Sequence, residues 1–362
     1  MAIFSYTQRK LFWITGKHDT FFSANYFVVF ICPIYNIFAM KPLWHFHRVF
    51  SGRTENTEDN FVKSHVLAIE GVDWLCLDNG AKHKTSQYEL VSQKKACIVR
   101  RGDIFNLALR CRDRAFDINK DRISLTFEFG NNPSIVKGTK AVTEMLQKRD
   151  FSLTDSWETL FDRRLGQRIE LMIRVPSNAP VGLWRLTVDT WQDGPTRYSH
   201  QRTFRTEEQL YILFNPFGDS DLVYLSHPAG REEFVMTDVG KLYGGSHNNI
   251  QGRPWIFGQF RDSVLPAVTH LLDKANQLKD SERGDPVKVC RAISAVVNSN
   301  DDKGLLQGRW DGYYADGTPP FEWTGSVPIL EEYMKSGGNH SVKYGQCWVL
   351  LAFKKRYDVL SE

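Results

Sequence analysis

From Phe61 to Trp191, apolar and polar side chains alternate in short runs that turn signals repeatedly interrupt. A period of two puts successive side chains on opposite faces, which is the signature of a strand with one face buried. The runs cover residues 67–76, 85–90, 96–110, 122–129, 168–175 and 183–191. Asn79-Gly80, Arg101-Gly102 and Gly130-Asn131-Asn132-Pro133 break them, and a Pro- and Gly-bearing turn joins the last two. Many short strands at this spacing predict an antiparallel sandwich of the immunoglobulin-like kind. The region has no cluster of acids, histidines or nucleophiles, so a scaffold or partner-docking role is expected of it.

The texture changes near Thr206. Residues 211–217 read as one short apolar strand, and helices then take over. Val264, Leu265, Val268, Leu271, Leu272, Ala275 and Leu278 share one face of a helix predicted over 263–278. Asp285-Pro286 is a helix start, with Asp as cap and Pro at the first helical position, and Val289, Ile293 and Val296 follow at core spacing. Another short helix is expected over Ser326–Lys335, stopped by Gly337-Gly338. The expected organisation is therefore an extension over 1–60, a β-sandwich over 61–206 and an α+β region over 207–362.

The chemistry concentrates at Tyr344-Gly345-Gln346-Cys347-Trp348. The stretch from 348 to 357 is apolar and then basic, with no Gly or Pro, so Cys347 stands where a loop becomes a helix. Unpaired N–H groups and the positive end of the helix dipole stabilise a thiolate at such a position. Gly345 offers freedom for unusual dihedrals and leaves room for a substrate. The competing reading is a buried structural cysteine opening a core helix.

Composition excludes more than it selects. With 46 basic and 42 acidic side chains the net charge is +4, too weak to argue for nucleic acid. The six cysteines (Cys32, Cys76, Cys97, Cys111, Cys290 and Cys347) include no C-x-x-C pair, so neither a zinc site nor a dense disulfide framework is expected. A reducing compartment, the cytoplasm first, is the simpler inference, with secretion or membrane association as alternatives. Residues 20–40 carry no charge and follow Arg9, Lys10 and Lys17. That run is about as long as a bilayer span of roughly 20 residues, but Ser23, Asn25, Pro33 and Asn36 dilute it. A hydrophobic anchor there competes with a buried or irregular extension.

The segment from Tyr344 to Val349 resembles the active-site motif of animal-type transglutaminases, the calcium-dependent protein-glutamine γ-glutamyltransferases. Gly308-Arg309-Trp310 and the run Trp323-Thr324-Gly325-Ser326-Val327-Pro328-Ile329-Leu330 precede it in the family's order. Val297-Asn298-Ser299-Asn300-Asp301-Asp302-Lys303-Gly304 resembles the family's first calcium loop, and residues 255–260 (WIFGQF) match a further block. In the amino-terminal half, Val99-Arg100-Arg101-Gly102-Asp103-Ile104-Phe105 and Val175-Pro176-Ser177-Asn178-Ala179-Pro180-Val181-Gly182 resemble its β-sandwich. The likeness covers roughly residues 62–357 and ends soon after Cys347.

The resemblance implies an immunoglobulin-like sandwich followed by part of a papain-like α+β core. It implies Cys347 as nucleophile and Trp310 as an indole N–H donor to the oxyanion, with Trp348 packing behind the nucleophile. It also implies Ca2+ held by Ala295, Asn298, Asn300 and Asp302. Alternation would project the last three side chains to one side, and oxygen ligands suit a hard cation, although an ordinary Asn/Asp turn has the same pattern. Protein glutamines would be the acyl donors, and lysines or small amines the acceptors. The family's histidine and aspartate segments have no counterpart after Cys347, so little or no transamidase activity is expected of the chain as written. A non-catalytic transglutaminase-like scaffold and a papain-like cysteine peptidase are the alternatives.

Overall fold

The structure is a computed structural model that describes residues 66–192, 201–246, 248–300 and 304–358, with side chains described as far as Phe353. The extension over 1–60, with the candidate anchor at 20–40, lies outside the described residues. No described helix is long and apolar enough to cross a membrane.

The alternating runs become a β-sandwich. Its strands are β1 (Ile69–Asp73), β2 (Ala96–Arg100), β3 (Ile104–Cys111), β4 (Asp121–Phe129), β5 (Lys140–Leu146), β6 (Glu158–Leu165), β7 (Arg168–Arg174), β8 (Gly182–Gln192), β9 (Arg202–Arg205) and β10 (Gln209–Leu213). The order runs β1-β3-β7-β6 on one side and β5-β4-β8-β10-β2 on the other, with β9 along β8. Strand β5 joins the two layers. Lys140 to Glu144 pair antiparallel with β4, whereas Met145 and Leu146 run parallel to Thr159 and Leu160 of β6.

Period-two patterning explains the interior. Phe105, Leu107 and Leu109 from β3, Ile169, Leu171 and Ile173 from β7, and Ile123, Leu125 and Phe127 from β4 all enter one core. Trp184 of β8 completes it and donates its indole N–H to Pro180 O at 2.9 Å, so its one polar atom is satisfied.

Three local readings are corrected. Residues 85–90 are not a strand: Thr85 Oγ1 donates to Ile98 O at 2.7 Å, and a one-turn helix (Glu89–Ser92) follows. A side-chain bond there replaces the ladder, and Leu90 and Val91 fill a small cluster with Tyr211 and Leu265. The first run stops at Asp73, because Leu75 turns left-handed (φ 48°) and starts a helix, Cys76–Lys82. The apolar run after Thr206 belongs to the sandwich, since β10 pairs antiparallel with β8 and parallel with β2.

In chain order the helices are α1 (Cys76–Lys82), α2 (Glu89–Ser92), α3 (Pro228–Arg231), α4 (Val264–Lys274), α5 (Pro286–Val296), α6 (Ser326–Lys335) and α7 (Cys347–Asp358). A ribbon of β11 (Val239–Ser246) and β12 (Asn249–Ile256) precedes α4, and β13 (Leu306–Gly308) lies parallel to β14 (Val342–Gly345). Val264, Val268, Leu271, Leu272, Val289, Ile293, Val296, Ile329 and Leu330 form a second core, as their helical spacing predicts. Asp285 caps α5 by accepting from Val287 N at 2.9 Å and Lys288 N at 3.2 Å.

Buried arginines fasten the helical region to the sandwich. Arg101 pairs with Asp221 at 2.7 and 2.8 Å and donates to Ala179 O and Gly284 O at 3.0 and 2.8 Å. Arg283 donates to Val181 O at 3.2 Å and to Asp273 at 3.0 Å. Each guanidinium therefore bonds to the turn around Ala179 and Val181 on one side and to the helical region on the other. The fork geometry of arginine makes this reach possible.

Candidate active site

Cys347 is the first residue of α7, and its thiol is free and exposed. The carbonyl of Gln346 accepts from Val349 N at 2.9 Å and Leu350 N at 3.0 Å, so the helix starts at Cys347 as expected. Gln346 is held on both ends of its amide. Its Nε2 donates to Arg309 O at 3.2 Å and Tyr314 OH at 3.0 Å, and its Oε1 accepts from Trp348 Nε1 at 3.2 Å. The dihedral freedom expected of Gly345 is not used. Gly345 ends β14 outside the left-handed region, and a Cβ there would only touch Leu306 at 3.4 Å.

Trp348 packs behind Cys347 against the second core. The Arg253 guanidinium lies 4.2 Å from its ring, and Trp255 meets it edge-on at 6.3 Å. Arg253 Nη1 donates to Phe321 O at 2.8 Å, while its Nη2 is buried without a partner, and desolvation lowers the pKa of the group. Trp255 is fixed by donation to Ser326 Oγ at 3.2 Å.

Trp310 follows β13 and is 61% exposed, so it is no core aromatic. The six-membered ring of its indole lies against Gly308, where a Cβ would fall 2.5 Å from Cη2. The backbone brings this loop to the cysteine, because Arg309 N donates to Gly345 O at 3.0 Å. Side chains tighten the join. Arg309 Nη1 donates to Tyr344 OH at 2.5 Å, Tyr344 OH donates to Asp316 Oδ1 at 2.6 Å, and Lys343 Nζ reaches Asp316 Oδ2 at 2.9 Å. The bond from Tyr344 and then the one from Lys343 bring the Asp316 carboxyl down to about 2. Trp323 Nε1 donates to Tyr344 O at 2.6 Å. Sequence reasoning missed this network. Its only advance signal was the dense charged and aromatic run from Arg309 to Asp316.

The expected calcium loop is partly described. Ala295 lies in the last turn of α5, and Asn298 and Asn300 follow it, while Asp302 falls in 301–303, outside the described residues. Asn298 Oδ1 accepts from Asn300 N at 3.1 Å, an Asx turn that leaves one lone pair of that oxygen uncommitted. Ser299 N donates to Leu306 O at 2.9 Å and Leu305 N to Val296 O at 2.7 Å, which pinches the loop at its neck. A Cβ at Gly304 would lie 2.2 Å from Val296 O, so this neck needs glycine. Neutral oxygens on a closed loop fit a hard cation. Among the described residues no group of three or more His, Cys, Asp or Glu side chains forms a metal site.

No described histidine has a recorded bond to Cys347. His83 Nδ1 accepts from Arg100 N in the sandwich, and His270 meets Gly337 O at 3.2 Å. No histidine follows Cys347 in the sequence.

A β-sandwich followed by an α+β region that presents a cysteine at a helix start defines the transglutaminase architecture. The comparisons agree. The profile of the Transglutaminase family matches residues 70–191. The chain is 40% identical over 288 residues to the hemocyte protein-glutamine gamma-glutamyltransferase of Tachypleus tridentatus, a match covering 78% of this chain and 37% of that protein. To the human coagulation factor XIII A chain it is 38% identical over 272 residues, covering 75% and 35%. The crystal structure of red sea bream transglutaminase superposes with a TM-score of 0.68 at 31% identity, covering 82% of this chain and 42% of that one. The chain belongs to the transglutaminase family and spans less than half the length of these relatives.

Proposed function

We propose that Cys347 is the acyl-accepting nucleophile of a calcium-dependent protein-glutamine γ-glutamyltransferase. The observation that carries this reading is an exposed thiol at the first residue of α7, with the Trp310 loop bonded to the strand ahead of it through Arg309 N and Gly345 O at 3.0 Å. The thiolate attacks the γ-carboxamide carbon of a protein glutamine, the C–N bond breaks, and ammonia leaves with the proton it gains. A thioester to Cys347 results. A lysine ε-amine or a small primary amine then attacks it, forms the isopeptide bond and returns the thiol, whereas water would give glutamate. The Trp310 indole N–H and the backbone N–H of Cys347 donate to the oxyanion in both steps.

Ala295 O, Asn298, Asn300 and Asp302 would hold Ca2+, which supplies a fixed positive charge that orders the loop after α5. Tb3+ luminescence on the full chain tests this: a bound signal that Ca2+ displaces and Asp302→Ala abolishes is expected, and a signal unchanged by that substitution refutes the assignment. The scattered thiols support a reducing, cytoplasmic setting for the chain, and the uncharged run at 20–40 is the segment through which any membrane association would act.

Iodoacetamide labelling with peptide mapping tests the nucleophile directly. Cys347 should label fastest, and labelling no faster than the other cysteines would refute the activated thiolate. If it labels fast yet incorporates no biotinylated amine into casein with Ca2+, the scaffold reading is favoured for this chain.

A further inference from the structure

The strongest chemistry outside the candidate active site lies in the sandwich, where Cys76 and Cys97 meet. Cys97 is fully buried on β2, and Cys76 opens α1 half-exposed, packed against the core cluster that contains Cys97. Three contacts fix their approach. Cys97 Sγ donates to Trp74 O at 3.7 Å, two residues before Cys76. Asn79 Nδ2, three residues after Cys76, reaches Cys97 Sγ at 3.9 Å. Cys76 itself packs against the core cluster to which Cys97 belongs.

The backbone around the pair is held independently of them. Asn79 donates to Trp74 O and Asn106 O, both at 2.7 Å, and accepts from Asn106 N at 2.9 Å, which ties α1 to β3. Leu75 N donates to Asp73 Oδ1 at 3.0 Å and fixes the left-handed corner that turns Cys76 back over β2. A bond of about 2.05 Å between the two sulfurs would therefore leave these anchors of α1 in place.

We propose that Cys76 and Cys97 form an oxidation-sensitive pair, in which Cys76 reacts with a hydroperoxide and Cys97 resolves it to a disulfide that locks α1 onto β2. The Cys76 thiolate attacks the peroxide oxygen, hydroxide leaves, and Cys76 becomes a sulfenic acid. The Cys97 thiol then attacks that sulfur, and water leaves as the S–S bond forms. The peroxide is reduced by two electrons and the two thiols are oxidised by two. The roles follow from exposure: only Cys76 is accessible to an oxidant, and only Cys97 is positioned to intercept the product. The neighbouring Cys97 lowers the Cys76 pKa against burial and the Asp73 charge, whereas Cys76 and burial raise that of Cys97.

The experiment uses the full chain carrying Cys347→Ser, which removes the exposed competing thiol. It is treated with hydrogen peroxide under native conditions, blocked with iodoacetamide and mapped by mass spectrometry without reduction. A peptide cross-linked through Cys76 and Cys97 is expected, reversible by dithiothreitol, with a rise of several degrees in Tm because the bond closes a loop in the unfolded chain. In Cys97→Ala, Cys76 should instead be trapped by dimedone as sulfenic acid, a readout that survives any loss of packing at residue 97. Recovery of both thiols reduced, or of Cys76 as sulfinic acid with Cys97 still present and unlinked, would overturn the proposal.

Discussion

At the residue scale, hydrogen bonds join the Trp310 loop to the strand ahead of Cys347. Trp310 is exposed, and an indole N–H is a donor only, as the proposed oxyanion role needs. Trp310→Ala should therefore slow acylation by an activated ester by about 10²–10³ while circular dichroism stays unchanged, and a loss below threefold would contradict its oxyanion role. Tyr344 OH joins Arg309 to Asp316 beneath the two loops. Tyr344→Phe should cut the alkylation rate of Cys347 by about tenfold, the kinetic equivalent of one bond to a charged group. The Asp316 carboxyl titrates at about 2, so this join should persist in mild acid; a pH-rate profile of alkylation that breaks near pH 4 in wild type but not in Asp316→Asn would argue otherwise.

Helix ends carry the predictions at the scale of elements. Asp285 accepts two N–H bonds at the start of α5, and Asp285→Ala should cost about 1 kcal/mol in urea unfolding. Gly338 follows α6 with φ 71°, and a Cβ there would sit 2.6 Å from His270 Nε2. The legibility of elements followed the same physics. Helix α5 could be read from Asp285-Pro286 and its apolar spacing, because capping and burial act within a few residues of chain. Residues 85–90 alternate like a strand yet form a turn and α2, because Thr85 bonds Ile98 O on β2, a partner no local window contains. Gly345 misled for a similar reason. It uses no rare dihedral, and a Cβ there would meet Leu306 at ordinary contact distance.

For the whole molecule, two buried guanidiniums and one buried imidazole set the terms. Arg101→Ala leaves Asp221 buried and unpaired and removes a join between sandwich and helices, so a loss of about 3–5 kcal/mol is expected. Differential scanning calorimetry should then show the sandwich and the helical region melting apart. Burial lowers the pKa of His83 from 6.5 to about 4 against the pull of Asp103. Above pH 6.5 neither the folded nor the unfolded chain protonates it, whereas between 6.5 and 4 only the unfolded chain does. Stability should thus fall over that window by on the order of 3 kcal/mol, and His83→Gln, which can still accept from Arg100 N, should flatten the fall. An identical pH slope in the variant would assign the acid loss to other groups.

The sequence by itself determined the sandwich-forming alternation, the four longer helices, the start of α7 at Cys347 and the family, since periodicity, caps and ordered motifs are local properties of a chain. The tertiary structure decided that β10 completes the sandwich, that Arg101 and Arg283 hold the two regions together, and that Arg309, Asp316 and Tyr344 bind the Trp310 loop to the strand ahead of Cys347. It also decided that Cys97 lies against the turn and helix that carry Cys76. These contacts join residues distant in the chain, and pairing, charge and thiol chemistry depend on where the fold brings groups together, which no run of neighbouring letters records.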